Sequence, residues 1–430
     1  MKIYAVGGAV RDKVLGLPVR DRDYVVVGTT IDMMQLLGFQ PIGRDFPVFL
    51  HPETKEEYAL ARTERKTGPG YKGFVFHAAP DVSLEEDLAR RDLTMNAMAR
   101  SQDGELIDPF GGREDLKKRI FRHVSPAFAE DPVRILRLAR FAARFPDFTV
   151  APETMELMKK MVESGEVDAL VPERIWQELS QGLMEKQPSR MLMVMRECGA
   201  LERILPEVNA LWGVPQPEQW HPEIDTGAHA MLALDYSAKQ GYPLQVRFAV
   251  LLHDLGKGTT PPHQWPHHRA HEERGVPLTE AVCRRLRVSN MYREIAVMTT
   301  REHGNIRRSR ELRPRTVVIL LERCDAFRRP ERFMNVIDAT ECDLRGRKSE
   351  TVSKENIEFP QREYWQLVLD AARSVDAAAI AQSMGGDMEE IPRTLHRARV
   401  EAVANAVIAT YLTPGSGEGE EKGASTHVRA

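Results

Sequence analysis

Within the stretch GGAVRDKVLGLPVRDRDYVVVG, residues 7 to 28, a glycine pair, an Arg-Asp step and two carboxylates one residue apart lie in a single short segment. Side chains on a strand alternate between faces. Asp21 and Asp23, at the mouth of the strand that continues as YVVVG, therefore point the same way, and Arg22 points opposite. Two parallel carboxylates repel each other unless a cation lies between them. Hard oxygen donors of this kind suit Mg²⁺, which takes one or two protein carboxylates together with substrate phosphate oxygens. Gly7 and Gly8 follow a strand and precede the short helix of AVRDKVL, where a backbone without Cβ atoms lets its N–H groups approach a phosphate. Arg11, one turn into that helix, is placed to reach the same phosphates.

A second constellation lies in EDPVRILRLARFAAR, residues 130 to 144. Asp131 and Arg134 are three apart on a predicted helix and so share a face. A carboxylate accepts from an exocyclic amino group, and a guanidinium donates to a ring nitrogen or carbonyl. Arg137, Arg140 and Arg144 continue along that half of the helix at steps of three and four, among Leu138, Phe141 and Phe145. Arginines set among apolar side chains need anions, and nucleotide phosphates are the expected ones; salt bridges to acids of a neighbouring helix are the competing reading.

The elements that must carry these residues change character along the chain. KIYAV and DYVVVG read as strands flanking a short helix that LGLP ends, and VFLHPETKEEYALAR reads as a hairpin. From Pro126 onward 3.6-residue periodicity dominates, and several segments open with Pro or Ser at the helix start. WGVPQPEQWHPEID, 212 to 225, is a Pro-rich linker into a helical unit dense in histidine. The end of the chain from 413, rich in Gly, Ser and Glu, is expected to be disordered.

With 430 residues, 42% of them hydrophobic and 29% charged, the chain has the composition of a soluble protein of several domains. No apolar run approaches the roughly 20 residues that span a bilayer, and the N-terminus lacks signal-peptide character, so a cytoplasmic protein without a membrane partner is expected. Cys198, Cys283, Cys324 and Cys342 form no CxxC and read as reduced, buried thiols. A net charge of -3 is not that of a protein coated in nucleic acid. Any such partner must rest on a local basic surface, which RRD at 90 to 92, KKRIFRH at 117 to 123 and RILRLARFAAR at 134 to 144 supply.

GGAVRD followed by DRD resembles the signature of the class II tRNA nucleotidyltransferases, the CCA-adding enzymes, and of the related bacterial poly(A) polymerases. The resemblance implies an α+β fold: a polymerase-beta-like head of mixed sheet and helices, then an all-α neck and body and an all-α HD domain. It implies two-metal chemistry on Asp21 and Asp23, with Glu57 in EEYALARTE as the third carboxylate from a neighbouring strand. RRDLTMNAMA, 90 to 99, is similar to the family's RRDxxxN motif and implies contacts of Arg91, Asp92 and Asn96 to the incoming nucleotide, beside Gly8, Arg11, Arg137 and Arg140. EDPVR is similar to its EDxxR motif. Cytosine and adenine both pair an amino donor with an adjacent ring-nitrogen acceptor, where uracil and guanine present a carbonyl. One pair, Asp131 and Arg134, can then accept CTP and ATP and refuse UTP and GTP.

FAVLLHDLGKG resembles the HD signature of metal-dependent phosphohydrolases. That likeness implies His229, His253, Asp254 and Asp325, with Asp343 as substitute for the last, around a transition ion such as Ni²⁺, and Lys257 reaching substrate phosphate. His263, His267, His268 and His271 form a further histidine cluster. The implied units are a head at 1–118, a neck and body at 119–215, an HD domain at 225–330, a C-terminal helical region at 331–412 and a tail at 413–430. The expected activity is template-independent addition of the 3′-terminal CCA of tRNA from CTP and ATP. HD-domain hydrolysis (2′,3′-cyclic phosphodiesterase, 2′-nucleotidase and phosphatase) accompanies it, in a monomer or weak homo-oligomer. A poly(A) polymerase, or an HD hydrolase with an RNA-binding head, are the alternatives.

Overall fold

The computed structural model describes residues 1–19, 22–42, 47–66, 74–219, 221–347, 357–383 and 389–411. Asp21 and the segment from 413 lie outside these residues. The N-terminal part is built on strands β1 (Lys2–Val6), β2 (Asp23–Val27), β3 (Gln40–Ile42), β4 (Val48–Leu50) and β5 (Glu57–Leu60), with β6 (Thr63–Lys66) and β7 (Phe74–His77) paired separately. Strands β8 (Ala99–Ser101) and β9 (Leu106–Ile107) complete a mixed sheet of order β3-β4-β5-β2-β1-β8-β9. β4 and β5 are the expected hairpin, in antiparallel register with Phe49 opposite Tyr58.

Alternation along β2 gives the sheet two buried faces. Val25 joins Val6, Leu88, Ala97 and Ala99 on one side, and Val26 joins Met34, Phe49, Tyr58 and Leu60 on the other. Helices α1 (Gly8–Val14), α2 (Ile31–Leu36), α3 (Leu84–Ala89) and α4 (Gly112–Lys118) complete this part. A capping box of Ser83 and Glu86 starts α3. The turn into α1 requires glycine at position 7, where φ is 68°.

From Val133 the described chain is almost wholly helical: α5 (Val133–Arg144), α6 (Pro152–Glu163), α7 (Pro172–Leu183), α8 (Ser189–Glu197), α9 (Ala200–Ile204) and α10 (Pro206–Asn209). Proline is the first residue of α6 and α7, as the sequence signals. α5 packs against α7 and α8 with Leu138, Ala139 and Ala142 fully buried. The histidine-rich part follows with α11 (Thr226–Lys239), α12 (Leu244–Leu252), α13 (His271–Arg285), α14 (Asn290–Arg307), α15 (Pro314–Arg323) and α16 (Pro330–Arg345). α17 (Gln361–Arg373), α18 (Ala377–Ser383) and α19 (Glu390–Tyr411) end the described chain.

Contacts divide the chain into one unit of 1–303 with 338–357 and another of 304–337 with 358–430. In the second unit, Trp365 is fully buried, meets Phe333 edge-on and donates from its indole nitrogen to Ile306 O. All four cysteines are buried and none forms a disulfide, and burial pushes the Cys198 and Cys283 thiols up to about 11 and about 12.

The turn Leu255–Thr259 after α12 lies directly against the start of α13. A Cβ on Gly256 would sit 1.9 Å from His271 O. Backbone cannot yield as a side chain can, so Gly256→Ala is expected to lower unfolding free energy by at least ~2 kcal/mol, measured by urea denaturation.

Candidate functional site

In the first unit, a cleft of about 1210 Å³ opens between the sheet and α5, and arginines outnumber carboxylates along its wall. Gly7, Gly8 and Arg11 reach it from the β1–α1 turn, Asp23 and Glu57 from the strands, Arg91, Asp92 and Asn96 from the segment after α3. Asp131, Arg134, Arg137 and Arg140 close the other side. β2 and β5 run parallel with Asp23 opposite Glu57, so both carboxylates stand at one end of the sheet on the same face.

The arginines are held by carboxylates, in a chain of contacts that crosses the sequence. Arg144 Nη2 donates to Asp12 Oδ2 at 2.9 Å, and Arg11 Nε donates to Asp12 Oδ1 at 2.8 Å. Arg11 Nη1 donates to Asn96 Oδ1 at 2.8 Å, Asn96 Nδ2 to Asp92 Oδ1 at 3.0 Å, and Arg137 Nε to Asp92 Oδ2 at 2.8 Å. Arg11 is 3% exposed, with its guanidinium carbon 5.0 Å from the Phe141 ring centroid. Burial lowers the pKa of Arg11, and Asp12 opposes that effect. Burial alone would raise Asp92, but Arg137 and the hydrogen bond from Asn96 outweigh it and hold this carboxyl well below the usual range.

Arg140 Nε donates to Glu178 Oε2 on α7 at 2.6 Å, so each of Arg137, Arg140 and Arg144 has a carboxylate partner, as in the competing reading of these arginines. One expectation changes. Asp131 is not on the helix. The residue before a proline is biased away from helical geometry, and Asp131, ahead of Pro132, has φ −124° and ψ 105°. Its carboxylate accepts from Val133 N at the start of α5 and from both terminal nitrogens of Arg174, at 3.1 and 2.8 Å. Arg134, 8% exposed, donates to Ala127 O.

A second cluster joins α11, the end of α12, the starts of α13 and the Asp343 turn of α16, all in the first unit. His229 Nε2 lies 3.0 Å from Asp343 Oδ1, and His253 Nε2 lies 3.1 Å from Asp254 Oδ2 and 3.8 Å from Asp343 Oδ1. His229, His253 and Asp254 bring ligand atoms within 4.8 Å of one another. Asp325 stands elsewhere: at the end of α15 with φ 51°, it pairs with Arg332, Arg329 and Arg328, and Asp343 occupies the position expected for it.

These residues fit a cation. His253 Nδ1 is 2.7 Å from Val250 O, and since a carbonyl can only accept, Nδ1 carries a proton and Nε2 is the nitrogen that would face a cation. That Nε2 and Asp254 Oδ1 are buried without a hydrogen-bond partner. His229 Nδ1 lies 2.7 Å from Glu223 Oε1, a charge contact on the far side of the ring from Asp343. Burial would raise Asp254, but His253 and Lys257 outweigh it and hold this carboxyl well below its ordinary value. Lys257, expected to reach substrate, donates to Asp254 Oδ2 and Gln216 Oε1, both at 2.6 Å. His268 is used structurally, by Thr260 Oγ1 and Pro215 O, and His263 and His267 are exposed.

Sequence reasoning missed Asp12, Glu178 and Arg174 around the cleft, and Glu223 and His303 around the histidines. Asp12 stands inside the quoted GGAVRD, and Glu178 and Arg174 lie at helical spacing in PERIWQELSQGLM; the others carry no local signal.

The family model described as the poly A polymerase head domain matches residues 3–122, that of a probable RNA and SrmB-binding site of polymerase A matches 147–211, and the HD domain matches 226–341. The multifunctional CCA protein of Herminiimonas arsenicoxydans is 61% identical over 419 residues, covering 96% of this chain and all of the relative. That of Burkholderia lata is 62% identical over 413 residues, covering 95% and 99%. In fold, the chain is similar to the Bacillus stearothermophilus CCA-adding enzyme in complex with CTP, with TM-score 0.62, 22% identity and coverage of 94% and 88%. It is also similar to the Thermotoga maritima CCA-adding enzyme complexed with tRNA, with TM-score 0.59, 20% identity and coverage of 95% and 91%. Identity of this degree along almost the whole length of both chains places the protein in the multifunctional CCA protein family.

Proposed function

We propose that this protein adds the 3′-terminal CCA of tRNA from CTP and ATP in the head cleft, and hydrolyses phosphoesters such as 2′,3′-cyclic phosphates at the histidine cluster. The observation that carries the first part is that one cleft gathers strand carboxylates, a glycine turn, a cluster of arginines and the Asp131–Arg134 pair. Asp23 and Glu57, with Asp21, would hold Mg²⁺. When bound, such ions stabilise the charge on the triphosphate and activate the RNA 3′-hydroxyl.

The chain's own residues position and select the substrate. Arg137 and Arg140 spend Nε on Asp92 and Glu178, which orients each planar fork and leaves its terminal nitrogens for phosphate oxygens. The carboxylates therefore aim the guanidiniums instead of merely neutralising them. Arg11 is used differently: Nε and Nη2 face Asp12 Oδ1 and Nη1 donates to Asn96, so it braces the glycine turn. An ionised carboxylate has about four acceptor positions, so Asp131 retains capacity for an exocyclic amino group beside its contacts to Arg174 and Val133. With Arg134 donating, the pair reads the amino and ring-nitrogen edge shared by cytosine and adenine.

At the second site His229, His253, Asp254 and Asp343 would hold a transition ion such as Ni²⁺, the donor set being mixed imidazole and carboxylate. When bound, the ion polarises a phosphoryl oxygen and makes hydroxide available at neutral pH. Lys257 and Glu223 fix Asp254 and His229 in place.

Separate substitutions test the division of labour. Asp23→Ala is expected to lower nucleotide addition to tRNA by on the order of 10³-fold, the several kcal/mol that metal charge stabilisation supplies, while hydrolysis of 2′,3′-cyclic AMP persists. His253→Ala is expected to do the reverse; one substitution abolishing both in a folded protein contradicts two independent sites.

Asp92→Asn tests the arginine scaffold through stability. Asp92 is held below its ordinary range, so its contribution is present above the unfolded carboxylate pKa and is lost as pH falls through the lower, folded value. With the Arg137 side chain 39% exposed, the loss at pH 7 is expected to be about 1–3 kcal/mol, less than for a fully buried pair. In urea denaturation the gap between wild type and variant should hold steady from pH 8 to about 5 and narrow below about 4.

A further inference from the structure

Helix α3 carries a carboxylate, Asp87, that is fully buried behind the wall of the head cleft. Its two oxygens face different partners. Oδ1 accepts from Arg90 Nε at 3.1 Å, from Arg90 Nη2 at 2.7 Å and from Arg62 N at 3.3 Å, whereas Oδ2 accepts from Arg91 Nη2 at 3.3 Å. Arg62, Arg90 and Arg91 line the cleft, and Asp87 stands behind them. Burial would raise Asp87, but Arg90 and Arg91 outweigh it and hold this carboxyl below its ordinary value, so it is ionised at neutral pH. Asp87 directly follows Glu86 of the capping box, which fixes its backbone at the start of the helix.

Arg91 reaches from this carboxylate to the glycine turn. Its Nη1 lies 3.1 Å from the point that a Cβ on Gly7 would occupy, and Asp23 Oδ2 lies 4.0 Å from the same point. Val6, just before the turn, pairs with Asp23 on β2, so Arg91 stands at the carboxylate end of the cleft. Among the described residues Asp87 is the carboxylate paired with Arg91, and Arg91 Nε is buried without a hydrogen-bond partner. A guanidinium is a rigid plane, so fixing Nη2 also sets the direction of Nη1. A long side chain held in place before the ligand arrives loses less freedom on binding it.

We propose that Asp87 is a positioning residue for nucleotide addition: it holds Arg91 Nη2 so that the rest of the guanidinium faces the glycine turn, where a phosphate oxygen of the incoming nucleoside triphosphate binds. This rests on the reading of the head cleft as the nucleotide site. Asp87 touches no substrate and acts through Arg91, as Asp92 does through Arg137. A purely structural role, tying α3 to the backbone at Arg62, is the rival account.

The test measures steady-state addition of CMP to tRNA lacking its CCA end by the full-length protein, as wild type, Asp87→Asn, Arg91→Ala and the double variant. With a hydrogen bond between charged groups weakened, Asp87→Asn is expected to raise KM for CTP about tenfold, while kcat and KM for tRNA change by less than about threefold. Arg91→Ala is expected to raise KM for CTP at least as much, and the double variant no further than Arg91→Ala alone, because both residues act through one contact. Asp87→Glu keeps the charge and moves the carboxylate by one methylene; it serves where Asp87→Asn fails to fold, with the same shift and the same lack of additivity expected. If KM for CTP is unchanged in the Asp87 variants, if the effects of the two substitutions multiply, or if kcat falls and both KM values rise together, Asp87 is structural and the proposal is overturned. Arg91→Ala leaving KM for CTP unchanged overturns it as well. If wild type adds no CMP, the reading of the cleft itself fails and takes the proposal with it.

Discussion

The head cleft depends on a continuous alternation of donors and acceptors, from Arg144 through Asp12, Arg11, Asn96 and Asp92 to Arg137. A buried guanidinium without an anion is too costly to keep, and the wall of this cleft keeps several. Carboxylates from α1, from the segment after α3 and from α7 solve this by holding each arginine before substrate arrives. The same contacts tie the glycine turn to α5, so both walls of the cleft are fixed by one network. Preorganisation of this kind avoids reorganising dipoles during the reaction, which is where electrostatic catalysis gains most.

The histidine cluster follows the same logic with opposite roles. There the buried carboxylates Asp254 and Asp343 are the groups that need partners, and the His253 and His229 imidazoles lie against them at 3.1 and 3.0 Å. Lys257 neutralises one oxygen of Asp254 and leaves the other facing His271 and His303. Close backbone packing at Gly256 brings α13, and with it His271, against this carboxylate.

Much of the head was legible because its signals are local. The alternation in DYVVV, the hairpin around His51–Glu56 and the glycine at a positive φ each depend on a few neighbouring residues, whereas Glu57 came from the family resemblance and stands opposite Asp23 through a long-range strand pairing. What failed to show in the sequence was pairing at a distance. Nothing near Arg144 announces Asp12, 132 residues earlier, and a basic helix reads the same whether its anions are phosphates or carboxylates. Asp131 was placed on the helix by spacing alone, although the proline after it argues for a capping position. The choice between Asp325 and Asp343 had no local answer, since both follow a cysteine in helical surroundings and only the packing of α16 against α11 decides it.

Asp131 and Arg134 are proposed to restrict this preorganised cleft to bases with an amino group beside a ring nitrogen. The most direct measurement supplies the protein with tRNA lacking its CCA end and each of the four labelled nucleoside triphosphates, singly and in combination. The expected result is CMP addition from CTP alone, AMP addition once the two cytidines are present, and no incorporation from UTP or GTP. Incorporation of UMP at a rate comparable to CMP, or polymerisation of AMP without prior cytidine, would contradict it.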